Sequence, residues 1–204
     1  YHLDSVSIGQ RSLRNGILGL LAGLPDDTEI ETLLFAQYHD ANNMTDAMAA
    51  LALIADGDYA MRSEVLNDFA ERWADDPLVM DKWFAVQAAA IRPTVLQEVR
   101  ELMAHPAFSI RNPNKVRSLI GTFVTANPVR FHAPDGSGYR FLAEQVLQLD
   151  PLNPQIAARL LRGMARWRRY DAGRQALMRE SLEQVLAAKV SKDVYEVASK
   201  SLQD

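Results

Sequence analysis

Cysteine is absent from the 204 residues. Disulfides, thiolate metal ligands and a cysteine nucleophile are thereby removed together, and a reducing compartment, the cytoplasm, is the expected location. Long apolar runs are missing too. None approaches the roughly 18 residues of a membrane-spanning helix, and the start, Tyr1-His2-Leu3-Asp4, lacks the charged-then-apolar order of a signal peptide, so no membrane partner is expected. There is no initiator methionine. Because Leu3 to Leu24 already shows helix spacing, excision from a longer polypeptide is the favoured explanation. Proline and glycine are sparse, at nine and ten, beside 48% hydrophobic and 24% charged residues. That balance excludes a disordered chain and predicts a packed fold. Sustained two-residue alternation is also lacking, so strands are not expected.

What is present is apolar residues at three- and four-residue spacing almost throughout. Thr28 to Ala41 places Ile30, Leu33, Leu34, Tyr38 and Ala41 along one helix face. Thr45-Asp46-Ala47 opens an alanine-rich helix, Ala47 to Ile54, whose small side chains allow close helix contact, and Asp56-Gly57-Asp58 ends it. Asp58 is the expected cap of a helix running through Met61, Val65, Leu66, Phe69 and Trp73. Pro77 then suits a helix first turn, where its missing N–H costs nothing. Leu78 to Ala90 comes next, Arg92-Pro93 breaks the chain, Thr94 is the expected cap of another helix, and His105-Pro106 closes it. Asn127 to Gly138, with two prolines and two glycines, is expected to be irregular but anchored by Phe131, with Ser137 capping the helix after it. Tyr139–Leu149, Asn153–Trp167, Asp171–Ala188 and Lys192–Leu202 complete the helices.

About eight to eleven helices joined by short turns predict an all-α, irregular superhelix of stacked antiparallel pairs, a HEAT/armadillo-like solenoid without a strict sequence period. Residues 1–204 are expected to form one domain. The charge is uneven: residues 1–99 hold 6 Lys/Arg against 16 Asp/Glu, residues 100–204 hold 16 against 10, giving −10 and +6. Such a split fits nucleic-acid binding, and it fits equally a domain whose two ends face different neighbours.

Catalytic patterns are hard to find. A zinc hydrolase needs two histidines one helical turn apart, and no two of His2, His39, His105 and His132 lie that close. Asp135-Gly136-Ser137-Gly138 precedes a helix, yet no strand leads into it and no Gly-Lys-Ser/Thr comes after, so a tight turn explains it better than a phosphate site. No Gly-x-Ser-x-Gly is present for a serine hydrolase. Arg162 to Arg174 interleaves five arginines with Trp167 and Tyr170, a pattern that can grip nucleic acid. A helix end explains it better, with arginines at the carbonyl terminus, Trp167 in the core and Asp171 as a local partner. Arg117 and Arg159 differ: each lies in a mostly apolar helix, so each guanidinium needs an ion-pair partner or a wet cavity. Gln155, one turn before Arg159, shares its face.

Several ordered motifs then carry a resemblance: Asn112-Pro113-Asn114-Lys115-Val116-Arg117-Ser118-Leu119-Ile120-Gly121; Asn127-Pro128; Phe131-His132-Ala133 with Asp135-Gly136-Ser137-Gly138-Tyr139; Asn153-Pro154-Gln155 with Ala158-Arg159; and Arg168-Arg169-Tyr170-Asp171 with Arg174-Gln175. Together they resemble the C-terminal domain of bacterial aminopeptidase N, densely in the second half and more loosely through Asp40 to Asp46 and Phe69 to Ala90. The resemblance implies a gluzincin-type zinc metallopeptidase whose His-Glu-x-x-His centre lies upstream in a thermolysin-like catalytic domain of the same polypeptide. This chain would hold no cofactor itself, Zn2+ being in that catalytic domain, and by itself would be inactive. It would cap the catalytic domain and line the internal chamber through which peptides reach the zinc, with Arg117, Arg159 and Gln155 as substrate-binding residues. The implied partners are that domain and peptide substrates, without nucleic acid or membrane. The alternative is a helical-repeat scaffold that binds protein or nucleic acid through the basic face.

Overall fold

The computed structural model describes residues 1–24 and 28–203. They are helical throughout, with no strand among the described residues, and the chain divides into two compact units, Tyr1–Arg92 and Pro93–Asp204.

The first unit contains α1 (Ser5–Leu21), α2 (Thr28–Asp40), α3 (Met44–Asp56), α4 (Arg62–Arg72) and α5 (Pro77–Ala88). α3 lies against all four others, as its alanine content suggests, and buries Ala50, Leu51, Ile54 and Ala55. It starts earlier than Ala47 because Asn43 accepts the Asp46 N–H as its cap. Asp46 is itself buried, and its carboxylate takes Asn15 Nδ2 at 3.0 Å, Asn43 Nδ2 at 2.7 Å and an ion pair with Arg14. Gln37 Nε2 joins the cluster by donating to Asn15 Oδ1 and to the Asp46 carbonyl. Burial by itself would raise the Asp46 pKa, but the hydrogen bonds from Arg14, Asn43 and Asn15 outweigh it and hold the carboxyl below its ordinary range. Asp58 is not a cap: α4 begins after Met61 without a side-chain bond, and Asp58 instead pairs with Arg92. α5 obeys the sequence rule, with Pro77 in its first turn and Asp76 accepting from Leu78 and Val79 N–H.

The second unit contains α6 (Val95–Leu102), α7 (Pro113–Val116), a π-turn at Arg117–Gly121, α8 (Thr122–Ala126), α9 (Pro128–Phe131), α10 (Ser137–Leu149), α11 (Pro154–Leu161), 3-10 turns at Arg162–Met164 and Trp167–Arg169, α12 (Ala172–Ala187) and α13 (Lys192–Leu202). Thr94 precedes α6, but its hydroxyl donates to Glu98 and caps nothing. The stretch expected to be irregular is shorter than predicted. Asn127 caps α9 with Pro128 at its first position, and α10 already begins at Ser137. Ser137 is not that helix's cap, since its N–H and Oγ both donate to Asp135 Oδ1. Phe131 is fully buried, as its anchoring role requires. The helix expected over Asn153–Trp167 breaks after Leu161 into the two 3-10 turns.

α10 is the central helix, packed against α9, α11 and α12. Around it Phe123, Phe131, Phe141 and Tyr139 meet edge to face, at 6.1 Å (Phe123–Phe131), 5.6 Å (Phe123–Phe141) and 5.4 Å (Phe131–Tyr139). The His132 ring lies between two phenols, Nδ1 2.9 Å from Tyr139 Oη and Nε2 2.8 Å from Tyr170 Oη. Burial and the nearby Arg174 both disfavour a charged imidazole and lower its pKa, and burial pushes the Tyr139 phenol up to about 12. A lowered folded-state pKa means that the unfolded chain takes the proton first as pH falls. The His132 site therefore contributes stability above about pH 6.5, and that contribution is lost below it, towards the folded pKa. The imidazole resonances of His132 should titrate below the ordinary histidine value; a midpoint at or above it would contradict this assignment.

Candidate functional site

α11 is specified locally. Asn153 accepts the Ile156 N–H as cap, Pro154 occupies the first turn, and Ala157, Ala158, Leu160 and Leu161 turn inward. The remaining face carries Gln155, Arg159 and then Arg162, at spacings of four and three that stack them in one row. α13 contacts α11 and presents Asp193, Glu196, Val197 and Lys200 at matching helical spacing. Between the two rows lies an open cavity of about 890 Å³.

A smaller concavity of about 260 Å³ adjoins it, lined by Arg117, Gly121, Thr122, Thr125, Ile156, Arg159 and Leu160. Arg159 and Ile156 border both spaces. The three sequence-selected residues are thus brought together: Gln155 and Arg159 on the larger cavity, Arg159 and Arg117 on the smaller.

Their surroundings differ. Arg117 begins the π-turn, a helix irregularity that often accompanies functional sites. Its guanidinium donates to Asn114 Oδ1 and, at 3.3 Å, to the Pro113 carbonyl. Arg159 is exposed and has no hydrogen-bond or ion-pair partner among the described residues. On the facing wall Glu196 is taken by Lys200 Nζ at 2.6 Å, and this bond holds its carboxyl below the usual range. The cavity therefore offers an unpaired guanidinium on one wall, while one carboxylate of the other wall, Glu196, is already engaged by Lys200. Such a fork suits a carboxylate or a row of peptide carbonyls. Sequence reasoning placed Arg162 in the basic stretch rather than beside Arg159, and missed Asp193, Glu196 and Lys200; their spacing was visible, but not that α13 faces α11.

Part of the basic stretch is used internally, while Arg162, Arg166 and Arg169 stay exposed. Trp167 is buried and its Nε1 donates to the Ser201 carbonyl at 2.8 Å. Arg168 donates to the carbonyls of Ser201, Leu202 and Gln203, so it closes the carbonyl end of α13 rather than of its own segment. Arg174 pairs with Asp171 and donates to the His132 carbonyl. These residues do not form a zinc site: among the described residues no three His, Asp or Glu side chains converge as a metal would need. No helix among the described residues is long and apolar enough to cross a membrane.

A family model described as "Domain of unknown function (DUF3458_C) ARM repeats" matches residues 1–203. Aminopeptidase N of Escherichia coli (strain K12) is 43% identical over 99% of this chain and 23% of its own length, and aminopeptidase N of Haemophilus influenzae is 42% identical over 100% and 23%. The crystal structure of Legionella pneumophila aminopeptidase A in complex with aspartic acid superposes with a TM-score of 0.92 at 34% identity, over 98% of this chain and 24% of that one. The chain thus spans about a quarter of the length of these relatives. The chain belongs to the DUF3458_C family of ARM-repeat domains and matches the C-terminal domain of bacterial aminopeptidase N.

Proposed function

We infer that residues 1–204 act as one non-catalytic domain of a zinc-dependent aminopeptidase that removes N-terminal amino acids from peptides. On this reading it caps the thermolysin-like catalytic domain of the same polypeptide, which holds the zinc, and lines the chamber that leads there. Arg159, with Arg117 and Gln155, receives the distal part of the peptide, its carbonyls or its C-terminal carboxylate. The observation that carries the reading is the unpaired Arg159 guanidinium on the wall shared by the two cavities. Exposed on that wall and without a protein partner, the guanidinium is available to a carboxylate or to peptide carbonyls.

The test uses the full-length polypeptide. A charge-assisted hydrogen bond contributes roughly 1.5–3 kcal/mol, so Arg159→Ala should raise KM for tripeptides and longer substrates about tenfold or more and leave kcat nearly unchanged. KM for an aminoacyl-nitroanilide, which has no distal part, should change less than about twofold. Arg117→Ala should act in the same direction but less strongly, because Asn114 and the Pro113 carbonyl already engage its guanidinium. Equal effects on long and short substrates would remove the role given to these arginines.

A further inference from the structure

The smaller concavity is apolar in all but its two arginines. Thr122 and Thr125 line it, but their hydroxyls are engaged with backbone: Thr125 Oγ1 donates to the Gly121 carbonyl at 2.8 Å and Thr122 Oγ1 to the Arg117 carbonyl at 3.4 Å. Back-bonding of this kind uses the hydroxyl proton inside the helix, so neither threonine has a donor left for a ligand. Ile156 and Leu160 add hydrocarbon, and among the described residues no acidic side chain lines the space. Arg117 is held by neutral partners, the Asn114 side chain and the Pro113 carbonyl, so its orientation is fixed while its charge is uncancelled.

Gly121 decides how deep the concavity is. It ends the π-turn with helical angles, φ −60° and ψ −42°, so the backbone does not demand glycine there. Crowding does not demand it either: a Cβ would lie 3.7 Å from the Val116 carbonyl oxygen and 3.8 Å from both Arg117 Cβ and Leu160 Cδ2, which are ordinary contacts. Alanine would hold a helical backbone better than glycine does. What the bare backbone supplies instead is open space between Arg117 and Leu160, two of the lining residues.

We propose that this concavity receives the side chain of a peptide's last residue, that it selects an apolar one of the size of leucine, and that Gly121 sets the depth available to it. The proposal rests on the reading of Arg159 as the anchor of a peptide's distal end. Charge picks the last residue over an internal one. Two guanidiniums border one small space, an arrangement matched by a carboxylate, and only the last residue carries its carboxylate on the same carbon as its side chain. An acidic side chain would have to bring a second carboxylate, stripped of water, against Ile156 and Leu160, and a basic one would meet two cations. The residues before the last extend into the larger cavity, which Arg159 and Ile156 also border.

The test uses initial rates of the full-length polypeptide on alanine peptides, from tripeptides to octapeptides, that end in glycine, leucine or aspartate. For at least one length, KM should be about tenfold lower with leucine at the end than with glycine or aspartate. Gly121→Val, which fills the floor, should shrink that ratio to about twofold. Gly121→Ala should shrink it in part while melting no lower than the parent protein, since its Cβ makes only ordinary contacts. Amidating the leucine-ended peptide removes its terminal charge and should raise KM about tenfold. Equal KM values at every length, a lowest KM for aspartate, a leucine preference that both Gly121 variants leave intact, or an amide that binds as well as the acid would each overturn the proposal. The two readings fail separately. A flat series beside a raised Arg159→Ala KM would remove the concavity's role alone, whereas a Gly121-dependent leucine preference beside an unchanged Arg159→Ala KM would remove the arginine anchor alone.

Discussion

Gly138→Val should lower the melting temperature of the chain by roughly 10 °C, a loss of about 3 kcal/mol in a protein of this size. Gly138 lies in the first turn of α10, where a Cβ would sit 2.2 Å from the Phe131 carbonyl oxygen and 2.8 Å from its carbon. Those are backbone atoms of α9, so no rotamer change relieves the overlap. The two helices would have to separate, and separating them opens the edge-to-face contacts among Phe131, Tyr139 and Phe123. Gly136 provides the internal comparison. Its φ of +71° disfavours any Cβ, but the closest groups are Leu177 Cδ1 at 3.0 Å, which can swing away, and Leu177 Cβ at 3.1 Å, which need give by only a few tenths of an ångström. Gly136→Ala should therefore cost only about 1 kcal/mol. Thermal melts measured by circular dichroism give the order directly, and a Gly138→Val loss below that of Gly136→Ala would show that α9 and α10 are not fixed against each other.

The same segment shows where sequence reasoning failed. Two prolines and two glycines between Asn127 and Gly138 predict irregular chain, which holds for residues 132–136, but Pro128 and Gly138 have helical uses that only tertiary packing reveals. Pro128 is compatible with a helix first turn, and Gly138 is inside a helix because another backbone passes against it. Caps failed for a related reason. Asp58, Thr94 and Ser137 have the right chemistry, but each finds a partner elsewhere, in Arg92, Glu98 and Asp135. At Asp76-Pro77 and Asn153-Pro154 a cap directly before proline made the helix start legible, whereas at Asn127-Pro128 the same signal was masked by Pro134, Gly136 and Gly138 close behind it. Arg117, Arg159 and Gln155 stood out because guanidinium and amide groups within apolar helices need an explanation. The facing wall did not, since Asp193, Glu196 and Lys200 look like an ordinary solvated face until α13 is laid against α11.

α13 supplies one wall of the larger cavity, so whatever fixes it also shapes the site. Its carbonyl end is held by Trp167 and Arg168. Its other end depends on Asp150, which ends α10 and is almost fully buried. A carboxylate at the carbonyl end of α10 is unfavourable for that helix dipole but lies at the amide end of α13, where it is favourable. The second effect prevails: Asp150 accepts the Ser191 N–H at 2.7 Å and the Ser191 hydroxyl at 2.5 Å, while Ser191 Oγ accepts the Val194 N–H as the cap of α13. Asp150→Ala leaves two donors of Ser191 without their acceptor and should cost roughly 3 kcal/mol. Ser191→Ala loses one of those bonds and the cap, roughly 1–2 kcal/mol. Because they share a bond, the double variant should fall short of the sum by about 1 kcal/mol, measured from urea midpoints. Strictly additive losses would mean that Asp150 stabilises α10 alone and that α13, with its wall of the cavity, is set in place by its carbonyl end.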